Sequence, residues 1–114
     1  MEFKKSFTLD QRLKECSRIM NKYPERIPII CERICDSKYE KLDKNKFLVQ
    51  RDLTCGQFVY VIRKRLRLPP EKAIFLFSNG SIPRTSEFIN NIYEQNKDKD
   101  GFLYIKYSEE NTFG

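Results

Sequence analysis

Residues 54–68 read TCGQFVYVIRKRLRL, and this stretch decides the fold. Thr54 precedes Gln57 by three positions, which is the spacing of a capping box at the start of a helix. Four apolar residues then recur at helical spacing, namely Phe58, Val61, Ile62 and Leu66. The β-branched residues lower the helix propensity, but the cap and the spacing together predict a helix. The Leu-Pro-Pro sequence at 68–70 is expected to end it.

Strand-like segments lie on both sides of this helix. Four of them are rich in β-branched and aromatic residues: RIPIICERI at 26–34, KFLVQ at 46–50, AIFLF at 73–77 and FLYIKY at 102–107. The third runs into a predicted turn at Asn79-Gly80. Pro28 predicts that the first is an edge strand or is locally interrupted, because proline donates no hydrogen bond to the ladder.

A second capping box, formed by Thr8 and Gln11, predicts a helix over residues 8–24, and a proline ends that segment. Its apolar face is expected to carry Leu9, Leu13, Cys16, Met20 and Tyr23. Phe3 and Phe7, four positions apart, indicate a short helical turn upstream. Near the end of the chain, Ser86 is expected to cap a short helix, which would carry Phe88, Ile89, Ile92 and Tyr93.

The elements therefore follow the order helix, strand, strand, helix, strand, helix, strand. Two strands joined by a short connection favour a hairpin, and a helix between strands favours a crossover. This order predicts an α+β fold, a ubiquitin-like β-grasp with a mixed four-stranded sheet and additional N-terminal helices. We expect an N-terminal helical extension at 1–24, a ubiquitin-like domain at 25–107 and a flexible C-terminal tail at 108–114.

The composition is that of a folded chain with a positive surface. Apolar residues make up 39% of it, charged residues of mixed sign make up 33%, and the formal net charge is +6. Such a charge favours acidic partners, which include nucleic acid, an anionic membrane surface and acidic peptides. The N-terminus lacks the apolar stretch of a signal peptide, and no apolar run is long enough to cross a bilayer, so we expect a cytoplasmic protein.

Four cysteines and no histidine limit the chemistry of the chain. The cysteines are Cys16, Cys31, Cys35 and Cys55, and they lack the paired spacing of a zinc site. A cysteine nucleophile would also lack a histidine to act as its base. Residues 96–107 begin like a calcium-binding loop, but its twelfth position is Tyr107 instead of Glu. A turn that leads into a strand explains that segment more simply. We therefore expect no metal site and no cofactor.

The last residues, SEENTFG at 108–114, have no apolar periodicity. One interpretation is a frayed terminus, which is common at chain ends. The other is that the carboxylate of Gly114 is itself the functional group.

Several segments together resemble the autophagy ubiquitin-like modifiers, the family of the GABA-A receptor-associated protein and its yeast relatives. They are ERIPIICER at 25–33, FLVQRDLTCGQFVYVIRKRLRLPPEKAIFLF at 47–77, NKDKDGFLYIKYS at 96–108 and ENTFG at 110–114. The resemblance covers nearly the whole chain and is weakest at 1–7 and 37–44.

The resemblance implies a non-enzymatic modifier that acts in autophagosome formation. Family members are activated by a ubiquitin-activating-like enzyme, passed to a conjugating-like enzyme and joined through the terminal glycine to phosphatidylethanolamine. By this likeness Phe113 and Gly114 form the end presented to those enzymes, and the lipidated protein would lie on autophagosome and vacuolar or lysosomal membranes. A cysteine protease removes residues beyond the glycine in many relatives, and the same class of enzyme would release the lipid.

The resemblance also implies a surface for acidic-flanked aromatic-x-x-aliphatic motifs of autophagy receptors, which add as a strand beside KFLVQ. The aromatic pocket would use Glu15, Ile19, Pro28, Ile30, Lys46, Leu48 and Phe102. The aliphatic pocket would use Phe47, Val49, Leu53, Phe58, Val61 and Arg65. The acidic flanks would contact Arg26, Lys46 and Arg65. Plain core packing is the alternative for Phe58 and Val61, and a buried strand is the alternative to a second docking site at Phe75 and Phe77.

Two positions depart from the family pattern, since Phe47 replaces a usual tyrosine and Gln50 a usual proline, which affects the rim of the aliphatic pocket. Two other functions stay open. One is a peptide-binding adaptor of vesicle trafficking that is not conjugated to lipid. The other is a basic nucleic-acid-binding domain built on the cationic cluster Arg63, Lys64, Arg65 and Arg67, although the stacking aromatics of an RNA-binding sheet are missing.

Overall fold

A computed structural model describes residues 1–34 and 37–109 of the chain. The helices are α1 (Glu2–Ser6), α2 (Leu9–Lys22), α3 (Cys55–Leu66) and α4 (Ile89–Asn96). The strands are β1 (Arg26–Arg33), β2 (Lys46–Gln50), β3 (Phe75–Phe77) and β4 (Leu103–Ser108). The predicted order of elements is confirmed, and α1 is the short helical turn expected upstream of α2.

The four strands form one mixed sheet in the order β2-β1-β4-β3. The central strands β1 and β4 are parallel, whereas β2 and β3 are antiparallel edge strands. This arrangement confirms the predicted β-grasp with its mixed four-stranded sheet.

Of the two alternatives predicted from Pro28, the edge strand is wrong, because β1 lies between β2 and β4, and the local interruption of the ladder is the one observed. Pro28 is paired with Leu48 of β2, but pairing with β4 begins only at Ile29. At position 28 the strand therefore has a neighbour on one side only. A proline is tolerated there for the same reason that it is tolerated on an edge.

Side chains alternate along the strands and build an apolar cluster on each face of the sheet. The main core lies between the sheet and helices α3 and α4, and its largest fully buried members are Ile27, Ile29, Phe58, Ile62, Ile89, Leu103, Ile105 and Tyr107. The second core lies on the opposite face, under α1 and α2, and consists of Phe3, Cys16, Ile19, Ile30 and Phe102.

Both predicted capping boxes are present, at Thr8 with Gln11 and at Thr54 with Gln57. Helix α3 ends earlier than predicted, because Arg67 takes a left-handed conformation with φ of 56° and its N–H bonds to the last turn. The prolines follow this cap and do not themselves form it.

The predicted apolar face of α2 is partly wrong. Leu13 and Tyr23 are 39% and 38% exposed, while the buried residues are Arg12, Cys16 and Ile19. The helix is rotated because the Arg12 guanidinium is drawn inward by the buried carboxylate of Asp100, which its Nη1 meets at 2.7 Å.

The prediction that Ser86 caps α4 is also wrong, since Phe88 is the N-cap and offers no side-chain cap. The backbone of Glu87 accepts a hydrogen bond from Cys55 N, and Ile89 N donates to Leu53 O. These bonds hold the segment extended against the start of α3, so helix α4 begins only after Phe88.

Two glycines with positive φ differ in their surroundings, and this difference predicts unequal costs of substitution. At Gly101, φ is +95° and an added Cβ would lie 2.7 Å from Cys16 Sγ, whereas Gly80, with φ of +77°, has nothing within 4 Å of that position. We expect Gly101→Ala to lower the free energy of unfolding by about 2 kcal/mol or more, and Gly80→Ala by about 1 kcal/mol. Urea unfolding of both variants measures this, and equal costs would contradict the close contact.

Candidate functional site

The residues predicted to form the aromatic pocket come together between α2 and the strand pair β1–β2. Ile19, Ile30 and Phe102 belong to the second core, and Leu48 packs against it while remaining partly exposed. Pro28 is fully buried and lies opposite Leu48 in the strand register. The structure thus joins one helix, two strands and the residue before β4 in a single apolar surface beside β2, in which Ile30 and Phe102 are buried and Leu48 is partly exposed.

Charged side chains form one rim of this surface. Lys46 Nζ lies 3.1 Å from Glu15 Oε2, and Arg18 Nη2 lies 2.5 Å from Glu15 Oε1. The hydrogen bond from Lys46 lowers the pKa of Glu15, with a further contribution from Arg18. The Glu15 carboxylate is therefore ionised at neutral pH, and its partner Lys46 is the first residue of β2.

Phe3 is a member of this surface that the sequence did not assign to it. Its side chain is 4% exposed, and its ring centroid lies 5.5 Å from that of Phe102. Lys46 Nζ lies 5.7 Å from the centre of the Phe3 ring, and Phe3 N donates to Glu32 Oε2 at 3.0 Å. The only signal in the sequence was the Phe3–Phe7 spacing, which does not show that Phe3 alone is buried.

The predicted aliphatic pocket lies on the opposite face of β2. Phe47, Val49 and Phe58 belong to the main core, and the rings of Phe47 and Phe58 meet edge to face at 5.6 Å. Leu53 and Val61 pack against this core and stay partly exposed. Phe58 is 0% exposed, so core packing explains its burial, and the apolar side chains of this set that pack at its open side are those of Leu53 and Val61.

A cavity of about 600 Å³ continues from these two side chains along the first turns of α3. Its other lining residues are Thr54, Gly56, Gln57, Tyr60, Thr85 and Ser86. Leu53 and Val61 therefore form the boundary between the predicted pocket and an open groove.

The three predicted contacts for acidic flanks do not converge. Lys46 is paired with Ile30 in the strand register, whereas Arg26 is paired with Gln50 at the other end of β2. Arg65 is engaged by Asp43 through two hydrogen bonds of 3.1 and 2.9 Å. These cations thus lie at separate points around the β2 edge.

The second surface considered from the sequence lies on β3, which is an edge strand of the sheet. Phe77 is 5% exposed and Phe75 is partly exposed. Burial therefore accounts for Phe77 without a ligand.

Glu109, the residue that follows β4, is held by hydrogen bonds to the segment after β1. Glu109 Oε2 accepts hydrogen bonds from Ser37 Oγ at 2.7 Å and from Lys38 N at 2.8 Å. Burial acts to raise the pKa of Glu109, but these hydrogen bonds outweigh it and the pKa is lowered. The predicted conjugation residues Phe113 and Gly114 lie outside the described residues, as does Cys35.

Comparison with known proteins decides the family. A family profile described as "Autophagy protein Atg8 ubiquitin like" matches residues 11–114. The chain belongs to the Atg8 family. It is 56% identical over 112 residues to Autophagy-related protein 8 of Kluyveromyces lactis, covering 98% of this chain and 90% of the relative. The corresponding values for the Schizosaccharomyces pombe protein are 55% over 113 residues, 99% and 93%.

Solved structures agree with the Atg8 assignment. A crystal structure of ATG8 from Trypanosoma brucei matches with a TM-score of 0.92 and 45% identity, covering 100% of this chain and 98% of that one. The predicted ubiquitin-like fold and the autophagy assignment are thereby confirmed. The profile match extends to Gly114, so the family signature includes the end of the sequence.

The described cysteines of this Atg8 protein are buried, at Cys16, Cys31 and Cys55. Burial raises the pKa of Cys16 and of Cys55 to about 11, and that of Cys31 further. These thiols are therefore protonated at neutral pH and are poor nucleophiles. Within residues 1–34 and 37–109, no group of acidic or cysteine side chains has the arrangement of a metal site, and no helix is long and apolar enough to cross a membrane.

Proposed function

We propose that this Atg8-family protein is a ubiquitin-like modifier that is joined through Gly114 to phosphatidylethanolamine, and that it recruits receptors carrying aromatic-x-x-aliphatic motifs during autophagosome formation. The observation that carries the peptide-binding part is the edge of β2, which has an apolar cluster on each side of it. On this proposal the protein is cytoplasmic until lipidated and then resides on autophagosome and vacuolar or lysosomal membranes.

The spacing of the motif fits the two faces of the β2 edge. Among the described residues β2 has a neighbouring strand on one side only, so its outer backbone groups are available to an added strand. Residues three apart on an extended peptide point to opposite faces. An aromatic side chain over Ile19 and Leu48 therefore places the aliphatic one over Leu53 and Val61.

The order of the two pockets fixes the direction of the peptide. The aromatic pocket lies at the Lys46 end of β2, and the aliphatic pocket lies toward Leu53, beyond the strand's other end. Because the aromatic residue comes first in the motif, the peptide must run parallel to β2. Acidic residues before the aromatic would then face Lys46, which would exchange its contact with Glu15 for the peptide.

Two anchors of about 1.5–3 kcal/mol each and a few strand hydrogen bonds of about 1 kcal/mol each are opposed by ordering of the peptide. The expected affinity is roughly micromolar. On a membrane carrying many conjugated copies, multivalency would raise it.

The conjugation chemistry requires no catalytic group from this chain. A carboxylate is a poor acyl donor, so ATP first adenylates the terminal carboxyl group with release of pyrophosphate. A cysteine of the activating-like enzyme displaces AMP to form a thioester, and a cysteine of the conjugating-like enzyme then displaces the first thiol. The lipid amine finally displaces the second thiol to form an amide. Glycine suits this role because it lacks Cβ and leaves its carbonyl open to attack. We therefore propose a modifier without enzymatic activity or cofactor.

Incubation with activating and conjugating enzymes of a yeast relative, ATP and phosphatidylethanolamine vesicles tests the conjugation. The expected product is a lipid adduct that floats with the vesicles. Failure of this chain under conditions where the yeast relative reacts would refute the proposal.

We predict that Leu48→Ala and Leu53→Ala each weaken binding of an acidic aromatic-x-x-aliphatic peptide by about tenfold, since each removes partly buried apolar contact from one pocket. Ile82→Ala is the matched control, because Ile82 is 39% exposed and follows β3 at the far edge of the sheet. Fluorescence anisotropy measures the dissociation constants. Full affinity in both folded pocket variants would show that the peptide binds elsewhere.

A further inference from the structure

A second cavity, of about 630 Å³, lies at the carboxyl ends of the parallel strands β1 and β4, beside α1. Its lining includes the five cations Lys5, Arg33, Lys41, Lys44 and Lys106 and the three carboxylates Glu2, Glu32 and Asp43. We call this space the basic cavity. The cations exceed the carboxylates by two, so the cavity is a place where negative charge is favoured.

Two of the three carboxylates of the basic cavity are paired with cations. Glu2 Oε1 lies 2.5 Å from Lys41 Nζ, and Asp43 Oδ2 lies 2.9 Å from Arg65 Nη2. Glu32 accepts the backbone N–H of Phe3. Glu2 and Asp43 are therefore occupied by cations, whereas Glu32 keeps its charge, because its Oε1 has no hydrogen-bond partner among the described residues. With all three carboxylates counted, the cations of the cavity still exceed them by two.

Three lysines of the cavity have no carboxylate partner among residues 1–34 and 37–109. Lys5 and Lys106 make no ion pair there, and Lys44 lies over the ring of Phe47 at 5.1 Å. They come from three separate elements, namely α1, β4 and the segment before β2. Their convergence on one cavity favours a ligand with more than one negative charge.

The cavity lies at the end of the molecule from which the C-terminal residues depart. Glu32 and Lys106 are register partners in the parallel pair β1–β4, and β4 ends at Ser108. Five residues separate Glu109 from the terminal atom of Gly114, and they span at most about 18 Å. On the proposed conjugation, which this inference rests upon, Glu109 is held within that distance of the lipid headgroup, and the basic cavity lies at the same end of the sheet.

We propose that the basic cavity binds the phosphate monoester headgroup of an anionic phospholipid in the membrane to which Gly114 is joined. A phosphate monoester carries about −1.5 to −2 charges at neutral pH and several strong acceptor oxygens. Three lysine ammonium groups suit such a group better than they suit the single charge of a phosphodiester. The bound headgroup would fix the orientation of the conjugated protein on the bilayer.

A phosphorylated receptor peptide is a poorer fit to the same cavity. A peptide on the edge of β2 begins near Lys46, whereas Lys106 lies on β4, on the far side of β1. Two strand spacings, or about 10 Å, separate β4 from β2. The peptide would have to turn across the sheet, while a headgroup approaches along the strand ends.

The test is flotation of the unconjugated full chain with phosphatidylcholine vesicles that contain either phosphatidic acid or phosphatidylserine at matched surface charge. We expect binding to phosphatidic acid vesicles, and a loss of about tenfold or more in Lys5→Ala/Lys106→Ala. Lys72→Ala/Lys99→Ala removes the same charge from exposed lysines outside the cavity and should bind as the unaltered chain does. Thermal unfolding of both variants confirms that they fold.

Glycerol 3-phosphate titrated into the labelled chain distinguishes the free phosphate from the lipid. Amide NMR shifts at Lys5, Lys44 and Lys106 with vesicle binding support the proposal. Shifts without vesicle binding, equal binding of both vesicle types, or equal losses in the control variant would overturn it. The proposal would also be overturned if Lys5→Ala/Lys106→Ala weakened binding of a phosphorylated receptor peptide but left vesicle binding unchanged. Because the chain is unconjugated, failure here leaves the lipidation of Gly114 unaffected and separately measurable.

Discussion

Asp100→Asn should lower the free energy of unfolding by about 3 kcal/mol, because the buried charge of Arg12 loses its nearest carboxylate and keeps the longer contact to Asp98 at 3.8 Å. Asp100 is 1% exposed, and its Oδ2 accepts from Arg12 Nη1 at 2.7 Å and from Tyr104 Oη at 2.5 Å. Its Oδ1 accepts from Phe102 N at 2.8 Å. One carboxylate thus joins α2, β4 and the turn before β4.

A second variant separates the lost charge from the lost hydrogen bonds. Arg12→Met/Asp100→Asn removes both charges and keeps the Asn oxygen for Phe102 N, so it should cost less than Asp100→Asn alone. Lys14→Ala is the control, since its pair with Asp10 is exposed and should contribute less than about 1 kcal/mol. Urea unfolding measures all three. A cost below about 1 kcal/mol for Asp100→Asn would contradict the buried pair.

Gly114→Ala is expected to abolish lipid conjugation while leaving peptide affinity unchanged. The added Cβ restricts the backbone and crowds the carbonyl that the enzymes must attack. Gly114 is not among the residues assigned to either pocket, which come from α2, α3, the strands and the segments before α3 and β4. Parallel measurements are the flotation of reaction products and the anisotropy titration with the receptor peptide.

The two readouts also distinguish the competing functions. Loss of membrane attachment with intact peptide binding is the result expected of a conjugated modifier. Persistent attachment of Gly114→Ala would assign the membrane contact to another part of the chain and favour an adaptor that is not conjugated. Binding of RNA in place of peptide would favour the basic nucleic-acid-binding alternative.

Local sequence signals predicted the elements that depend on local bonding. The capping boxes at Thr8 and Thr54 set the starts of α2 and α3 because side chain and backbone satisfy each other within one turn. The turn at Asn79-Gly80 was also predictable from local sequence, because Asn and Gly tolerate the positive φ that both residues take there. Strand β2 was predicted to the residue.

Features fixed by distant contacts escaped prediction. The inward rotation of Arg12 depends on Asp100, which is 88 positions away. The late start of α4 depends on backbone bonds to the segment before α3, and the central position of Pro28 depends on where β4 begins. Phe3 was missed as a pocket neighbour because a single buried aromatic at a chain end has no periodicity to reveal it.

The candidate site followed the same division. The resemblance named the pocket residues, and strand alternation predicted that Lys46 and Leu48 lie opposite Phe47 and Val49. Leu48 packs against the second core and Lys46 contacts Glu15 of α2, whereas Phe47 and Val49 belong to the main core. The pairing of Lys46 with Glu15 and the basic cavity arise from side chains that only the tertiary fold brings together.

Tandem mass spectrometry of the C-terminal peptide, taken from the vesicle-bound reaction product, is the most direct measurement of what this protein does. We expect the fragment that contains Phe113 and Gly114 to carry the mass of phosphatidylethanolamine, joined to Gly114 with loss of one water. A vesicle-bound product with a free carboxylate at Gly114, or with lipid on any other residue, would contradict conjugation through the terminal glycine.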